Sequence, residues 1–455
     1  MAPSLVCDVL PIGLAKRGVG AAGVNCLSPI GPRRVRDLDR VSPRPEISRM
    51  TRLFIVTCAL ALAACTASPH PVPAGPRTAP VIAGYVAGWG VRTKGMRIED
   101  LPAAKSLTHV IYAFGRVAED GRAALGSSCL DAGLCDDSAS VAGRAGGNFA
   151  ALAELKQRNP HLKAMVSIGG WTGSGRFSDV ALTDASRRLF ASSAIDQFIR
   201  HFPGVFDGLD IDWEYPVGGG LPENAKRPED RRNFTLLMNE LRRQLDEEGA
   251  RDGRRYELAA ATTAGEQGIG NLEVDSLAKV VDFLNLMTYD YYAGGSVAGF
   301  NAPLYSATND PSPKRNVDST VAMYLRAGLP ADKLVVGVPY YARAYANVPP
   351  VNDGLFQTGS GTAPSEWMGT NTDVGHLTRA KLEAAGFTVR TEPRAQAPFA
   401  FNPTTGVWIT FDDAESLARK ADYVRERGLR GIMIWEAGSD DGTMTRVIRE
   451  ALTRR

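Results

Sequence analysis

The sequence predicts a (β/α)8 TIM barrel with a small α+β insertion between strands seven and eight. Three observations carry this reading. Eight short apolar runs alternate with segments of helical period, the order expected of a parallel α/β fold. Four carboxylates crowd the fourth run, and the seventh run is parted from the eighth by residues 342–429, far more than one crossover helix needs.

The runs are VIAGYVAGW (81–89), THVIYAFG (108–115), LKAMVSIGG (162–170), FDGLDIDWE (206–214), YELAAATT (256–263), VDFLNLMTYD (281–290), KLVVGVPYY (333–341) and RGIMIWE (430–436). FTLLMNELRRQLDEE, after the fourth run, has apolar residues at helical spacing. Asp412 and Glu415 read as a capping box that opens a helix ending before Gly428. Between the last two runs, residues 344–403 hold Gly/Thr/Asn-rich turns, the short helical segment LTRAKLEAAG and Trp367. On the seventh βα loop they would stand at the C-terminal face, where barrels of this kind keep their chemistry.

Residues 1–80 have no such pattern. The first 49 carry eight Lys/Arg against four Asp/Glu and several prolines, without an apolar period, and read as an upstream extension with no core of its own. Met50 and Arg52 then precede an apolar run from Leu53 to Ala64, a secretory signal over 50–64. As a helix that run reaches only about 18 Å, against roughly 30 Å for a bilayer core. Leu62-Ala63-Ala64-Cys65 resembles a bacterial lipobox, in which the cysteine is acylated, so Cys65 is the expected lipidation site and Met50 the expected start. A plain secreted protein and a long signal n-region are the alternatives. The Pro/Ala-rich stretch 65–80 reads as an extended linker, followed by one barrel domain over 81–455.

With 52 basic against 50 acidic residues, no domain-wide positive field argues for nucleic acid. Of six cysteines, only Cys129 and Cys135 fall within the barrel, six residues apart, and an exported protein is expected to join them. Neither CxxC nor HExxH spacing is present, so no metal or cofactor is expected. The expected state is a monomer, exported as an outer-membrane or cell-surface lipoprotein, or otherwise secreted or periplasmic.

Strand side chains alternate, so Asp210, Asp212 and Glu214 share one face and Leu209, Ile211 and Trp213 the other. Packing the apolar set against helices turns the acids into the barrel. Three inward carboxylates cannot all ionise cheaply, and one that keeps its proton near neutrality is what a general acid requires. Asp207 has the opposite parity and reads as structural. A divalent metal site and a salt-bridged rim compete with this reading. The EF-hand pattern fails because no Gly follows at the required place and Ile and Trp fill the gaps between the acids, and no Lys or Arg lies inside the motif.

DGLDIDWE resembles the DxxDxDxE signature of the family 18 glycoside hydrolases, the chitinase family. SIGGW (167–171), MTYD (287–290), YAR (341–343) and MIWE (433–436) resemble that family's motifs on strands three, six, seven and eight. The resemblance covers roughly residues 81–450, and a subfamily with deep clefts carries an α+β insertion in the same place.

The resemblance implies a retaining, substrate-assisted reaction, unlike the two-carboxylate scheme of most glycosidases. In it Glu214 is the acid and then the base, Asp212 holds the acetamido N–H, Asp210 shares a proton with Asp212, and Tyr289 donates to the acetamido oxygen. Trp435 would floor the pocket, and Tyr85, Trp89, Phe114, Trp171 and Tyr215 would meet other sugar faces; Trp367 reads equally as a sugar face or as core. Met287 would pack beneath the acetyl group, with Asp290 and Tyr341 also on the substrate. Arg343 is expected to bond a sugar hydroxyl, the alternative being a brace for a rim carboxylate. Ser167 would hydrogen-bond the inner aspartate, and Gly169 and Gly170 would permit a close turn. The implied partner is chitin or its oligomers. An endo-β-N-acetylglucosaminidase acting on N-glycans and a lectin-like chitin binder are the competing readings.

Overall fold

The computed structural model describes residues 79–135, 146–360, 363–364, 367 and 377–454. The extension, the signal, Cys65 and nearly all of the linker lie outside the described residues. Among those described, no helix is long and apolar enough to cross a membrane.

The barrel strands are β1 (Val81–Ala87), β2 (His109–Val117), β4 (Lys163–Gly169), β5 (Gly208–Asp212), β6 (Glu257–Thr262), β7 (Phe283–Leu286), β8 (Leu334–Pro339) and β13 (Gly431–Trp435). Each pairs in parallel with its neighbours, and β1 pairs with both β2 and β13, which closes the barrel. A two-residue β3 (Ala123–Ala124) lies antiparallel to the end of β2.

Alternation builds two apolar layers. Val81, Ala83 and Tyr85 of β1 point inward with Ile111, Met165, Ala259, Phe283, Val335 and Met433. Ile82 and Val86 join the outer layer, as do Leu209 and Ile211 of β5. The helix Asp230–Asp252 buries Phe234, Leu237, Met238, Leu241 and Leu245 there, one face of a 3.6-residue period.

Between β8 and β13 lies a second sheet. Its strands β9 (Arg343–Tyr345), β10 (Thr388–Glu392), β11 (Ala397–Asn402) and β12 (Val407–Thr410) pair antiparallel in the order β10-β11-β12-β9, beside the helix Arg379–Ala384. The sheet runs on to Thr410, so the stretch 344–403 leaves out its last strand. Trp367 packs edge-on to Phe387, 5.0 Å between centroids, inside this segment's own core.

The capping box of the helix Ala414–Glu426 lies one residue away from its expected position. Asp413 and Ser416 form it, while Asp412 turns inward to pair with the buried Lys420 at 2.7 Å. At the other end of the barrel, Asp207 accepts the Ala164 N–H at 2.7 Å and pairs with Lys156 at 2.8 Å and with Arg254, a structural placement. Cys129 and Cys135 are joined in a disulfide.

Candidate active site

β5 ends at Asp212, two residues short of the expected limit, so Glu214 stands just beyond the strand. The alternation nevertheless continues: Asp210, Asp212 and Glu214 are 0%, 4% and 8% exposed, and Trp213 between them packs outward against Phe177 and Phe234. Two features hold the turn. Ser174 Oγ accepts the Glu214 N–H at 2.8 Å and donates to the Gly170 and Asp212 carbonyls, and Asn224 Nδ2 donates to the Glu214 carbonyl at 3.0 Å. Gly169 has a φ of 120°, and a Cβ there would lie 2.2 Å from the Asp212 carbonyl oxygen, so only glycine lets β4 and β5 approach this closely. The Glu214–Tyr215 peptide is cis, as are Ala113–Phe114 within β2 and Trp435–Glu436 at the end of β13.

The acids differ in their partners. Asp210 Oδ2 accepts the hydroxyls of Tyr85 at 2.7 Å and Ser167 at 2.8 Å, and Oδ1 accepts Asn285 Nδ2 at 3.3 Å. Burial pushes its carboxyl up to about 6 in spite of these donors. Asp212 has no such help: Oδ1 is buried with no hydrogen-bond partner. Burial first, then the Glu214 and Asp210 charges, raise it well above the usual carboxylate range. Burial also carries Glu214 up to about 7, opposed by a hydrogen bond from Tyr215 and assisted by the charge on Asp290. The site thus holds exchangeable protons near neutrality, the condition for acid–base work.

Above the acids opens a cavity of about 760 Å³. Asp212 and Glu214 reach it, and Asp210 does not. Of the other expected substrate contacts, Tyr85, Trp89, Phe114, Trp171, Tyr215 and Met287 line it, as do Tyr289, Asp290, Tyr341, Arg343 and Trp435. Ser167 and Gly170 stand behind the wall, Ser167 on Asp210 and Gly170 with a φ of 81° where a Cβ would strike the Phe114 ring. Phe114 stacks on Trp435, 5.6 Å between centroids and 17° from parallel, while Trp89 and Trp171 are 42% and 50% exposed at the mouth. Flat apolar faces of this kind suit the C–H faces of sugar rings.

Arg343 lines the cavity and also makes the contact given as its alternative, a brace on a rim carboxylate. Its Nε and Nη2 clamp the two oxygens of Asp290 at 2.9 and 2.7 Å, and Tyr341 donates to the same carboxylate at 2.8 Å. The guanidinium is a brace on the rim, with its plane over Tyr341 at 5.0 Å. The Tyr289 hydroxyl faces the Met433 sulfur at 3.9 Å and lies at the cavity wall.

Several site residues escaped the sequence reading. Asn285 on β7 has the parity of the inward Phe283, so an amide inside FLNLM was a usable signal. Ser174 and Asn224 lie in loops and gave none. Lys94, paired with Glu436 at 2.7 Å, and Ser439 also line the cavity, brought there from opposite ends of the chain. Among the described residues, no group of three or more His, Cys, Asp or Glu side chains could hold a metal ion.

A closed (β/α)8 barrel whose C-terminal face gathers buried acids under an aromatic cleft is the arrangement of an enzyme that works by proton transfer. The chain belongs to glycosyl hydrolases family 18, whose sequence profile it matches over residues 81–440. It is 36% identical over 397 residues to Chitinase A1 of Niallia circulans, covering 79% of this chain and 56% of that one. To Chitinase 1 of Aphanocladium album it is 33% identical, covering 78% and 80%. A solved chitinase from Bacillus thuringiensis superposes with a TM-score of 0.73 at 31% identity, over 82% of this chain and 70% of that one. A family 18 N-acetylglucosaminidase from Paenibacillus barengoltzii gives 0.68 at 34% identity, over 82% and 100%. The chain therefore spans little more than half of the Niallia relative and most of the others.

Proposed function

We propose that this protein is a chitinase that hydrolyses β-1,4-linked N-acetylglucosamine chains with retention, through an oxazolinium intermediate. The observation that carries the reading is the contrast between Glu214, which faces the cleft with its carboxyl raised to about 7, and Asp212 behind it, buried with an unpartnered oxygen. Glu214 protonates the glycosidic oxygen. The carbonyl oxygen of the substrate's own 2-acetamido group attacks the anomeric carbon as the leaving hydroxyl departs. Asp212 Oδ1, lacking any donor from the protein, takes the acetamido N–H and stabilises the cation, while Tyr289 donates to the acetamido oxygen. Glu214, now a carboxylate, takes a proton from the water that opens the ring. An internal nucleophile held in line is worth up to about 7–11 kcal/mol.

The named chitinases among the relatives support this substrate class, and the aromatic cleft is consistent with an extended chain. The likeness to an N-acetylglucosaminidase supports a second reading, release of single sugars from a chain end by the same acids. The test is chromophore release from conjugates of two to four N-acetylglucosamine units, with product lengths read by mass spectrometry. Glu214→Gln should lose at least about 10²-fold in kcat. Retained turnover in that variant defeats the assignment, and turnover confined to N-glycans moves it to an endo-β-N-acetylglucosaminidase. We also propose export with lipid attachment at Cys65. A diacylglyceryl mass on a mature N-terminus at Cys65 supports this, and a free terminus further downstream defeats it.

A further inference from the structure

We infer that the Cys129–Cys135 loop fixes the position of Trp89 at the cleft, acting through Asp131, Tyr112 and Asn148, and thereby tunes affinity for sugar chains long enough to reach that side. The inference deepens the proposed function and rests on it for the ligand, but the mechanical linkage stands on its own contacts.

The disulfide ties Cys129, within the one-turn helix Ser128–Ala132, to Cys135 beyond it, and Ser127 caps the helix by accepting the Leu130 N–H at 3.2 Å. A helix this short does not hold itself together in water, so the cross-link and the packing beneath it keep Asp131 in place. Asp131 is 3% exposed. One of its oxygens accepts the Tyr112 hydroxyl at 2.5 Å and the other the Ser127 N–H at 2.9 Å. Asn148, on the helix Gly147–Arg158, donates to Tyr112 Oη at 2.8 Å and to the Gly88 carbonyl at 2.9 Å. Gly88 also donates its N–H to the Ala113 carbonyl at 2.7 Å.

The direction of each bond follows from the one before. Both Asp131 oxygens accept, so the Tyr112 proton points to Asp131 and the phenol oxygen is left to accept from Asn148. That turns the Asn148 amide nitrogen toward Gly88, whose carbonyl is pinned as a result. No side chain fits at this point, since a Cβ on Gly88 would lie 2.1 Å from the Tyr112 oxygen. The next residue is Trp89, whose ring lies 6.0 Å from Phe114 and lines the cavity. None of the three polar side chains touches the acids of β5. A buried carboxylate without a cationic partner is costly, and orienting this chain of bonds is a role that accounts for its presence.

Tyr112→Phe cuts the chain at its centre with little change of shape. It should raise KM for the longest chito-oligosaccharide conjugates about 5-fold, the worth of one hydrogen bond, with kcat within about twofold. Reducing the disulfide of the wild-type protein with a phosphine should act in the same direction, so a failure of the variant to fold does not remove the test. Amide hydrogen exchange over Gly88–Lys94 should quicken in Tyr112→Phe and in the reduced protein. Unchanged exchange and unchanged KM after reduction would overturn the inference. A wild-type protein that ignores chito-oligosaccharides would sink the sugar reading, and the exchange rates would still decide the linkage.

Discussion

Tyr85 on β1 donates its hydroxyl to Asp210 on β5 at 2.7 Å, across the inside of the barrel. With Ser167 and Asn285 it surrounds Asp210 with three hydrogen-bond donors where water is excluded. Tyr85→Phe removes a donor to the charged form, so the Asp210 carboxyl should move above about 6. A hydrogen bond to a charged group is worth about 1.5–3 kcal/mol, so the move should be about one to two pH units. Carbon-13 NMR of labelled aspartate carboxyls reads it directly, and an unmoved or lowered midpoint would count against the role given to Tyr85.

Asp290 raises Glu214 by like-charge repulsion and is itself clamped by Arg343. Asp290→Asn removes the repulsion and leaves the guanidinium charge uncompensated nearby. Both changes favour the ionised form of Glu214. The basic limb of the kcat/KM profile should therefore shift to lower pH, by about half to one unit. An upward shift would contradict the electrostatics described for the rim.

Glu214 also links stability to pH. Its carboxyl lies at about 7 in the folded protein against 4.5 for the free group. The folded state binds the proton more tightly, so this contribution to stability is full below about 4.5 and is lost as pH rises through about 7. Glu214→Gln has no charge to bury. Its stability relative to wild type should grow between pH 4 and pH 8, by up to about 3 kcal/mol. Urea denaturation at the two pH values measures it, and an equal difference at both would argue against a buried, raised carboxyl.

Asp412 and Lys420 form an ion pair with side chains 3% and 1% exposed. Lys420→Met leaves the carboxylate buried without its cation and should cost about 3–5 kcal/mol. Adding Asp412→Leu should recover most of the loss, since two apolar groups can replace the pair. A double variant no more stable than the single would show that the pair does more than neutralise itself.

The eight strands were legible because each is a short apolar run, and burial on both faces of a parallel strand leaves that mark. Their ends were less so. VDFLNLMTYD reads as ten continuous residues, yet β7 stops at Leu286, and Met287, Tyr289 and Asp290 beyond it line the cleft. The acids on β5 were visible from period alone, since Asp210, Asp212 and Glu214 alternate with outward apolar residues. Partners from distant segments were not. Nothing local in the sequence marks Lys94 for Glu436, 342 residues away, or Arg343 for Asp290. Such pairings are set by the closure of the barrel, which brings the ends of β1 and β13 together.

The most direct test of the account is the titration of Glu214 itself, followed by carbon-13 NMR of protein labelled at the glutamate carboxyls, with Glu214→Gln to assign the signal. The account predicts a midpoint near 7 that coincides with the basic limb of kcat/KM. A midpoint near 4.5, the value of a free carboxyl, would leave the site without its proton donor and contradict the account.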